Sequence, residues 1–190
     1  MLKLIGKLFL RLNGWTIADH TPKGIQDVKR CVIVAAPHTS NWDYPFAMSV
    51  FYALGVKVRF LAKDSLFKFP LGLIMKGSGG IPVYRSQRNN LVQTMIDLFA
   101  SREELRLMIP AEGTRSFVRE WKSGFYHVAY GAKVPIVLGF LDFKEKKGGF
   151  LNVYYPSGNY AKDLYEIQKL YSLIHPKNPD QYSLKDMKFD

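Results

Sequence analysis

The chain has 190 residues, 47% of them hydrophobic, which suits one domain with a substantial core. Its one cysteine, Cys31, excludes a disulfide framework and points to a reducing compartment; no uncharged apolar run reaches the roughly 18 residues a spanning helix needs. Lysine and arginine outnumber aspartate and glutamate by 27 to 16, for a formal charge of +11, so nucleic acid, an anionic membrane and an acidic carrier protein are the partners that charge favours.

Leu2, Leu4, Ile5, Leu8, Phe9 and Leu12 stand among Lys3, Lys7 and Arg11, a pattern that predicts an amphipathic helix over Met1–Leu12 with one polar stripe on a wide apolar surface. Such a helix either lies in a membrane interface, cations toward lipid phosphates, or packs on the domain, and Trp15 suits an interfacial rim. Charges in every turn and the lack of a small-residue cleavage site after Gly14-Trp15 argue against a signal peptide. Residues 19–30, with Pro22 and Gly24, read as a connection.

The short β-branched run Cys31–Ala36, stopped by Pro37, predicts a buried strand with Cys31 as core filler. Tyr44–Val56 predicts a helix, and Thr39, Ser40 and Asn41 before it supply side-chain oxygens suited to capping. His38 thus stands in a loop and Asp43 in the first helical turn. Their separation is wrong for two side chains on one helix face, but it works across a turn. The carboxylate can then accept from one imidazole nitrogen and leave the other free as a base. That is two thirds of a triad, and a substrate hydroxyl attacking an activated acyl carbonyl fits the missing nucleophile; a structural hydrogen-bonded pair is the alternative.

Val56–Ala62 predicts a second strand, after which Lys63 falls near the edge where His38 emerges if the two strands are parallel. Leu66–Met75 reads as a short helix or a membrane-touching loop, with Phe67, Phe69 and Met75 either lining an acyl groove or filling the core. The glycines from Gly72 to Gly80 lack the lysine of a nucleotide-binding loop. A short apolar segment over Ile81–Val83 delivers Arg85 ahead of a helix at Asn90–Ala100, where it either meets a phosphate or carboxylate or is solvated.

A strand at Leu105–Ile109 leads into Glu112-Gly113-Thr114-Arg115. This reads as a tight turn whose amides, Thr114 hydroxyl and Arg115 hold an anion, with Glu112 orienting Arg115, or as a solvent-exposed polar turn. Helices at Gly124–Gly131 and Leu164–Ile174 and strands at Val134–Asp142 and Phe150–Tyr155 complete the pattern. The tail after His175, with Pro176 and Pro179, is poorly patterned and expected to be loosely held. The expected fold is a single α/β domain, a mixed and mostly parallel sheet flanked by helices, with residues 1–15 as a membrane-interface helix, 16–175 as the main domain and 176–190 as a tail.

Four segments in order, spanning roughly His38 to Pro135, carry a resemblance: His38 to Asp43, Gly80-Ile81-Pro82-Val83-Tyr84-Arg85, Glu112-Gly113-Thr114-Arg115-Ser116 and Val134-Pro135-Ile136-Val137. The first is weak alone, but the ordered set resembles the glycerolipid acyltransferases, the family typified by lysophosphatidic acid acyltransferase. The resemblance implies that His38 is the general base and Asp43 orients it. It also implies that Arg85 and the Glu112, Gly113, Thr114 and Arg115 turn hold the acceptor's head group or phosphate, with Lys63 assisting. It further implies acyl-CoA or acyl-carrier protein as donor, a lysolipid as acceptor, no metal or bound cofactor, and work at the cytoplasmic face of an anionic membrane as a peripheral or monotopic protein.

Ala111 stands where the family usually has proline, so the turn's backbone and the acceptor stay open; lysophosphatidic acid and amino-acid-containing lysolipids both fit. A serine hydrolase is disfavoured because no Gly-x-Ser-x-Gly elbow occurs. A non-catalytic module that binds anionic membrane is the competing class, and nucleic-acid binding is disfavoured because the cations are scattered without a recognised motif.

Overall fold

The run that begins at Cys31 is inaccessible to solvent through Val34, as a strand covered on both faces must be. The computed structural model describes residues 1–83 and 90–189. In chain order the elements are α1 (Leu2–Leu12), β1 (Thr16–Asp19), β2 (Arg30–Ala35), α2 (Asp43–Leu54), β3 (Arg59–Lys63), α3 (Leu71–Gly77), β4 (Gly80–Val83), α4 (Leu91–Ala100), β5 (Leu105–Pro110), α5 (Gly124–Gly131), β6 (Ile136–Asp142), β7 (Lys147–Tyr154) and α6 (Tyr160–Tyr171). Among the described residues, seven strands form one sheet in the order β1-β7-β6-β2-β5-β3-β4. β6 and β7 pair antiparallel and every other pair is parallel. The single α/β domain with a mostly parallel sheet is therefore as expected.

Side chains alternate across the sheet and divide the core. Val32 and Val34 face a cluster with Phe99 of α4, Phe125 of α5 and Tyr171 of α6. Cys31 and Ile33 face Met48 and Phe51 of α2 and Met75 of α3. Because β2 to β6 run the same way, their carboxyl ends share one edge, the usual place for ligands in open α/β sheets.

Helix α1 lies on α2 through a narrow seam in which Gly6 and Leu10 are buried. A Cβ at Gly6 would come within 2.6 Å of the Ser49 carbonyl oxygen, so only glycine lets the two backbones approach this closely. Packing accounts for that seam alone: Leu2, Leu4, Ile5, Leu8 and Leu12 are exposed. Trp15 is not on a rim; it is buried, its ring stacked 4.3 Å from that of Phe46.

Several boundaries differ from the sequence reading. Thr16–Asp19 is a strand, unseen in the pattern because it is half polar and sits at the sheet's edge, paired only with β7. Strand β3 is confined to Arg59–Lys63, since buried Val56 and Val58 precede its pairing. Helix α6 starts at Tyr160 because Asn159 caps it, accepting from the Lys162 amide.

The largest difference is the tail. Tyr182, Ser183 and Leu184 are buried, and the Tyr182 hydroxyl donates to the Tyr171 carbonyl at 2.6 Å. The segment is a strap of successive turns around a short 3-10 helix at Pro179–Gln181, and such irregular anchoring leaves no periodicity to read.

Candidate active site

Strand β2 ends at Ala35, in register with Pro110 of β5 on one side and Gly139 of β6 on the other. The loops that follow β2 and β5 therefore start side by side. After a cis Ala36–Pro37 peptide the chain reaches His38, and α2 begins five residues later at Asp43. Asp43 Oδ2 lies 3.0 Å from His38 Nδ1 and also accepts from the Thr39 and Ser40 amides at 2.9 and 3.0 Å. Ser40 Oγ accepts from the Trp42 amide at 3.2 Å just ahead of α2, so a loop side chain caps the entry as expected, while the first residue of the helix ties the loop down in return. A carboxylate oxygen only accepts, so the contact selects the tautomer with the hydrogen on Nδ1, in which the neutral ring presents its lone pair at Nε2. The Asp43 side chain is 8% exposed and that of His38 20%, so the orienting group is dry while the ring keeps access.

Glu112 has partners that differ from those expected. Its side chain is buried, with 1% of the residue exposed, and it does not reach toward Arg115. Oε2 accepts from the His38 amide at 2.6 Å, and Oε1 accepts from the Ser183 hydroxyl at 2.7 Å and the Ser183 amide at 3.2 Å. Burial pushes this carboxyl above its ordinary value, opposed by the donors on Ser183 and His38. Glu112 is therefore a clamp beneath the His38 loop, made by a carboxylate that a sequence reader would put in water.

Gly113 turns the chain at φ +68°, a left-handed conformation that glycine adopts without penalty. The Thr114 hydroxyl accepts from the Ser116 amide at 3.3 Å, and both Thr114 and Arg115 are exposed. Arg115 borders the same cavity as His38. Lys63 ends β3 on the shared edge and is exposed, but the cavity wall takes Leu61 and Ala62 rather than Lys63. Arg85 lies outside the described residues.

The cavity holds about 420 Å³ between the sheet, α2 and α3. Val50, Phe51, Phe60, Leu71 and Met75 give it apolar walls, and His38, Asn41, Asp43, Tyr44 and Arg115 are its polar lining. Of the three side chains considered for an acyl groove, Met75 lines the cavity, Phe67 packs half-buried on the α2-side core, and Phe69 is exposed. Among the described residues no cluster of three or more metal-ligating side chains occurs.

The strap also holds the site, with no mark in the sequence pattern. Asn178 donates from its amide nitrogen to the Thr39 carbonyl at 2.7 Å, and its backbone N–H donates to the Thr39 hydroxyl at 3.2 Å. Gln181, with its side-chain nitrogen toward the loop, reaches the Thr39 carbonyl at 2.6 Å and that of Arg115 at 2.8 Å. Trp121 Nε1 donates to the Ser183 hydroxyl at 2.7 Å. No spacing or composition signal marks these residues, because each acts across more than sixty positions of chain.

This combination, an open α/β sheet with a histidine–aspartate pair at its carboxyl edge beside an apolar cavity, defines a class of enzyme scaffold rather than one reaction. Residues 16–137 match the family described as Acyltransferase, well over half of the chain, and the protein belongs to that family. It is similar to human 1-acyl-sn-glycerol-3-phosphate acyltransferase beta, with 33% identity over 134 residues covering 68% of this chain and 47% of that protein. It is also similar to a probable 1-acyl-sn-glycerol-3-phosphate acyltransferase of Mycoplasma pneumoniae, with 34% identity over 139 residues covering 68% and 50%. The chain thus spans about half the length of the curated relatives it matches. The crystal structure of the 1-acyl-sn-glycerophosphate acyltransferase PlsC from Thermotoga maritima shares the fold, with a TM-score of 0.60 at 16% identity over 90% of this chain and 75% of that one.

Proposed function

We propose that the protein is an O-acyltransferase that moves a fatty acyl group from a thioester donor, acyl-CoA or acyl-carrier protein, to the hydroxyl of a lysolipid, with lysophosphatidic acid as the preferred acceptor. The observation that carries this is a single one: His38, with Nδ1 held by Asp43, borders a largely apolar cavity that Arg115 also borders.

In this reading His38 Nε2 takes the acceptor's hydroxyl proton as the oxygen attacks the thioester carbonyl. The tetrahedral intermediate collapses with cleavage of the C–S bond, and the imidazolium returns the proton to the departing sulfur. Thiolate is a good leaving group, so proximity and the base supply most of the acceleration. Arg115 serves the acceptor's phosphate, with Arg85 and Lys63 as its further cations and the Gly113-Thr114 turn as its frame. Glu112 is a positioning residue for His38. A chain in the cavity gains about 0.8 kcal/mol per buried methylene.

Helix α1 acts as the membrane-interface element, and the acyltransferase domain runs from residue 16 through the strap that seats Tyr182 and Ser183. The exposed leucines and Ile5 of α1, interspersed with Lys3, Lys7 and Arg11, support docking on an anionic membrane. No helix among the described residues is long and apolar enough to cross a bilayer. The test is mass spectrometry of lipid products after mixing the protein with each donor and a panel of lysolipids, amino-acid-containing ones included, beside His38→Ala. Diacyl product that depends on His38 identifies the transferase and its acceptor; free fatty acid would favour hydrolysis, and vesicle binding without turnover would favour a non-catalytic module.

A further inference from the structure

The segment Leu66–Lys76 has two unlike sides. Inward, Leu66, Leu71 and Met75 line the cavity. Outward, Phe69, Leu73 and Ile74 are 86%, 69% and 60% exposed, and Lys68 and Lys76 flank them, also exposed. The segment is not a loose flap. The Ser78 hydroxyl behind α3 lies 2.7 Å from the Tyr44 hydroxyl of α2, and a Cβ on Gly72 would come within 2.0 Å of the Phe67 carbonyl oxygen, so the chain folds tightly on itself. Three large apolar side chains held in water by a fixed backbone are unfavourable unless something covers them.

We propose that this segment is a lipid-docking surface: Phe69, Leu73 and Ile74 insert among the acyl chains of an anionic bilayer, Lys68 and Lys76 meet its phosphates, and a lipid's chain enters the cavity past Leu66 and Leu71. Three large apolar groups framed by two cations fit a phase that takes up hydrocarbon beneath a layer of negative charge. The charged surface of an acidic carrier protein would leave the apolar groups uncovered. The wall of the cavity and the docking surface are then one short element, so a chain leaving the bilayer crosses α3 without crossing water. The docking half stands by itself, whereas the chain-entrance half rests on the acyltransferase reading.

The full chain carrying Leu73→Cys, labelled with an environment-sensitive fluorophore, tests the docking. Cys31 does not compete for the label, because it is wholly buried and burial pushes its thiol up to about 12. Phosphatidylglycerol-containing vesicles are expected to shift the emission to the blue and to bring it within reach of a lipid-borne quencher, and acyl-carrier protein is expected to do neither. A label that stays in water with vesicles, or responds only to carrier protein, overturns the proposal.

For the entrance, Leu73→Asp/Ile74→Asp is expected to lower turnover of a long-chain acceptor in vesicles at least tenfold while leaving a short-chain, water-soluble acceptor within twofold. Equal effects on both acceptors, or none on either, overturn the entrance. A wild type that transfers no acyl group would sink the acyltransferase reading, and the label would still decide the docking.

Discussion

Two histidine–aspartate pairs stand at the same edge of the sheet. His38–Asp43 follows β2, His175–Asp142 joins the strap to the end of the neighbouring β6, and in both the Nδ1–Oδ2 distance is 3.0 Å. Asp142 turns its other oxygen to the amides of Lys144 and Glu145, capping the turn into β7, and its Oδ2 also takes the His175 amide. His175 is half-exposed and does not border the cavity. Asp43 instead gathers the loop that aims His38, whose amide is clamped by Glu112 and whose ring borders the cavity. The pair geometry is common to a fastener and a candidate base; what distinguishes them is what the second ring nitrogen can meet.

The largest effects would break this comparison outright. His38→Ala is expected to lower acyl transfer about 10²- to 10⁴-fold, the usual worth of a positioned general base. His175→Ala should leave kcat within about twofold, since loss of an exposed fastener does not touch the reacting atoms. Steady-state turnover on one donor and acceptor decides it, and an equal loss in both variants would make the distinction worthless.

The aspartates sharpen it through different observables. Asp43→Asn should lower kcat by about 10²-fold or more, because an amide can present its N–H to Nδ1 and favour the wrong tautomer. Asp142→Asn should instead cost stability, about 1.5–3 kcal/mol for hydrogen bonds to a buried charged acceptor, with little change in rate. Burial alone would raise the Asp142 carboxyl, but the donors of Glu145 and His175 outweigh it and hold it below its ordinary value. A depressed carboxylate contributes stability that is fully present above its unfolded value, about 3.9, and lost as pH falls through the lower folded value. The melting-temperature gap between wild type and Asp142→Asn should therefore be widest at neutral pH and narrow in acid. A gap that widened in acid would show that Asp142 is not the stabilising carboxylate.

The first pair was legible in the sequence and the second was not, for a physical reason. Cys31–Val34 and the apolar helix behind it announce a strand, a loop and a helix, so His38 and Asp43 could be placed by local pattern alone. His175 and Asp142 lie 33 positions apart and meet only because the chain returns after α6. Glu112 shows the same limit more sharply. Carboxylates are seldom buried, so its residue type argued for solvent. Its buried partner Ser183 is 71 positions away, in a segment whose prolines and mixed charge looked like a loose end.

Ser183 gives the smallest and most discriminating prediction. Ser183→Ala leaves Glu112 Oε1 only the backbone donor and strips the buried Trp121 N–H of its acceptor. If Glu112 positions His38, kcat should fall about tenfold, equivalent to roughly 1.4 kcal/mol, with KM unchanged, and Ser183→Thr should recover most of it by returning the hydroxyl. The Ser183 hydroxyl lowers the Glu112 carboxyl, which burial raises, so its loss raises it further. Glu112 then takes up its proton at higher pH and accepts more weakly from the His38 amide, and the acid limb of the kcat profile should move upward in pH for Ser183→Ala. A purely structural strap would lower the melting temperature and leave that limb in place.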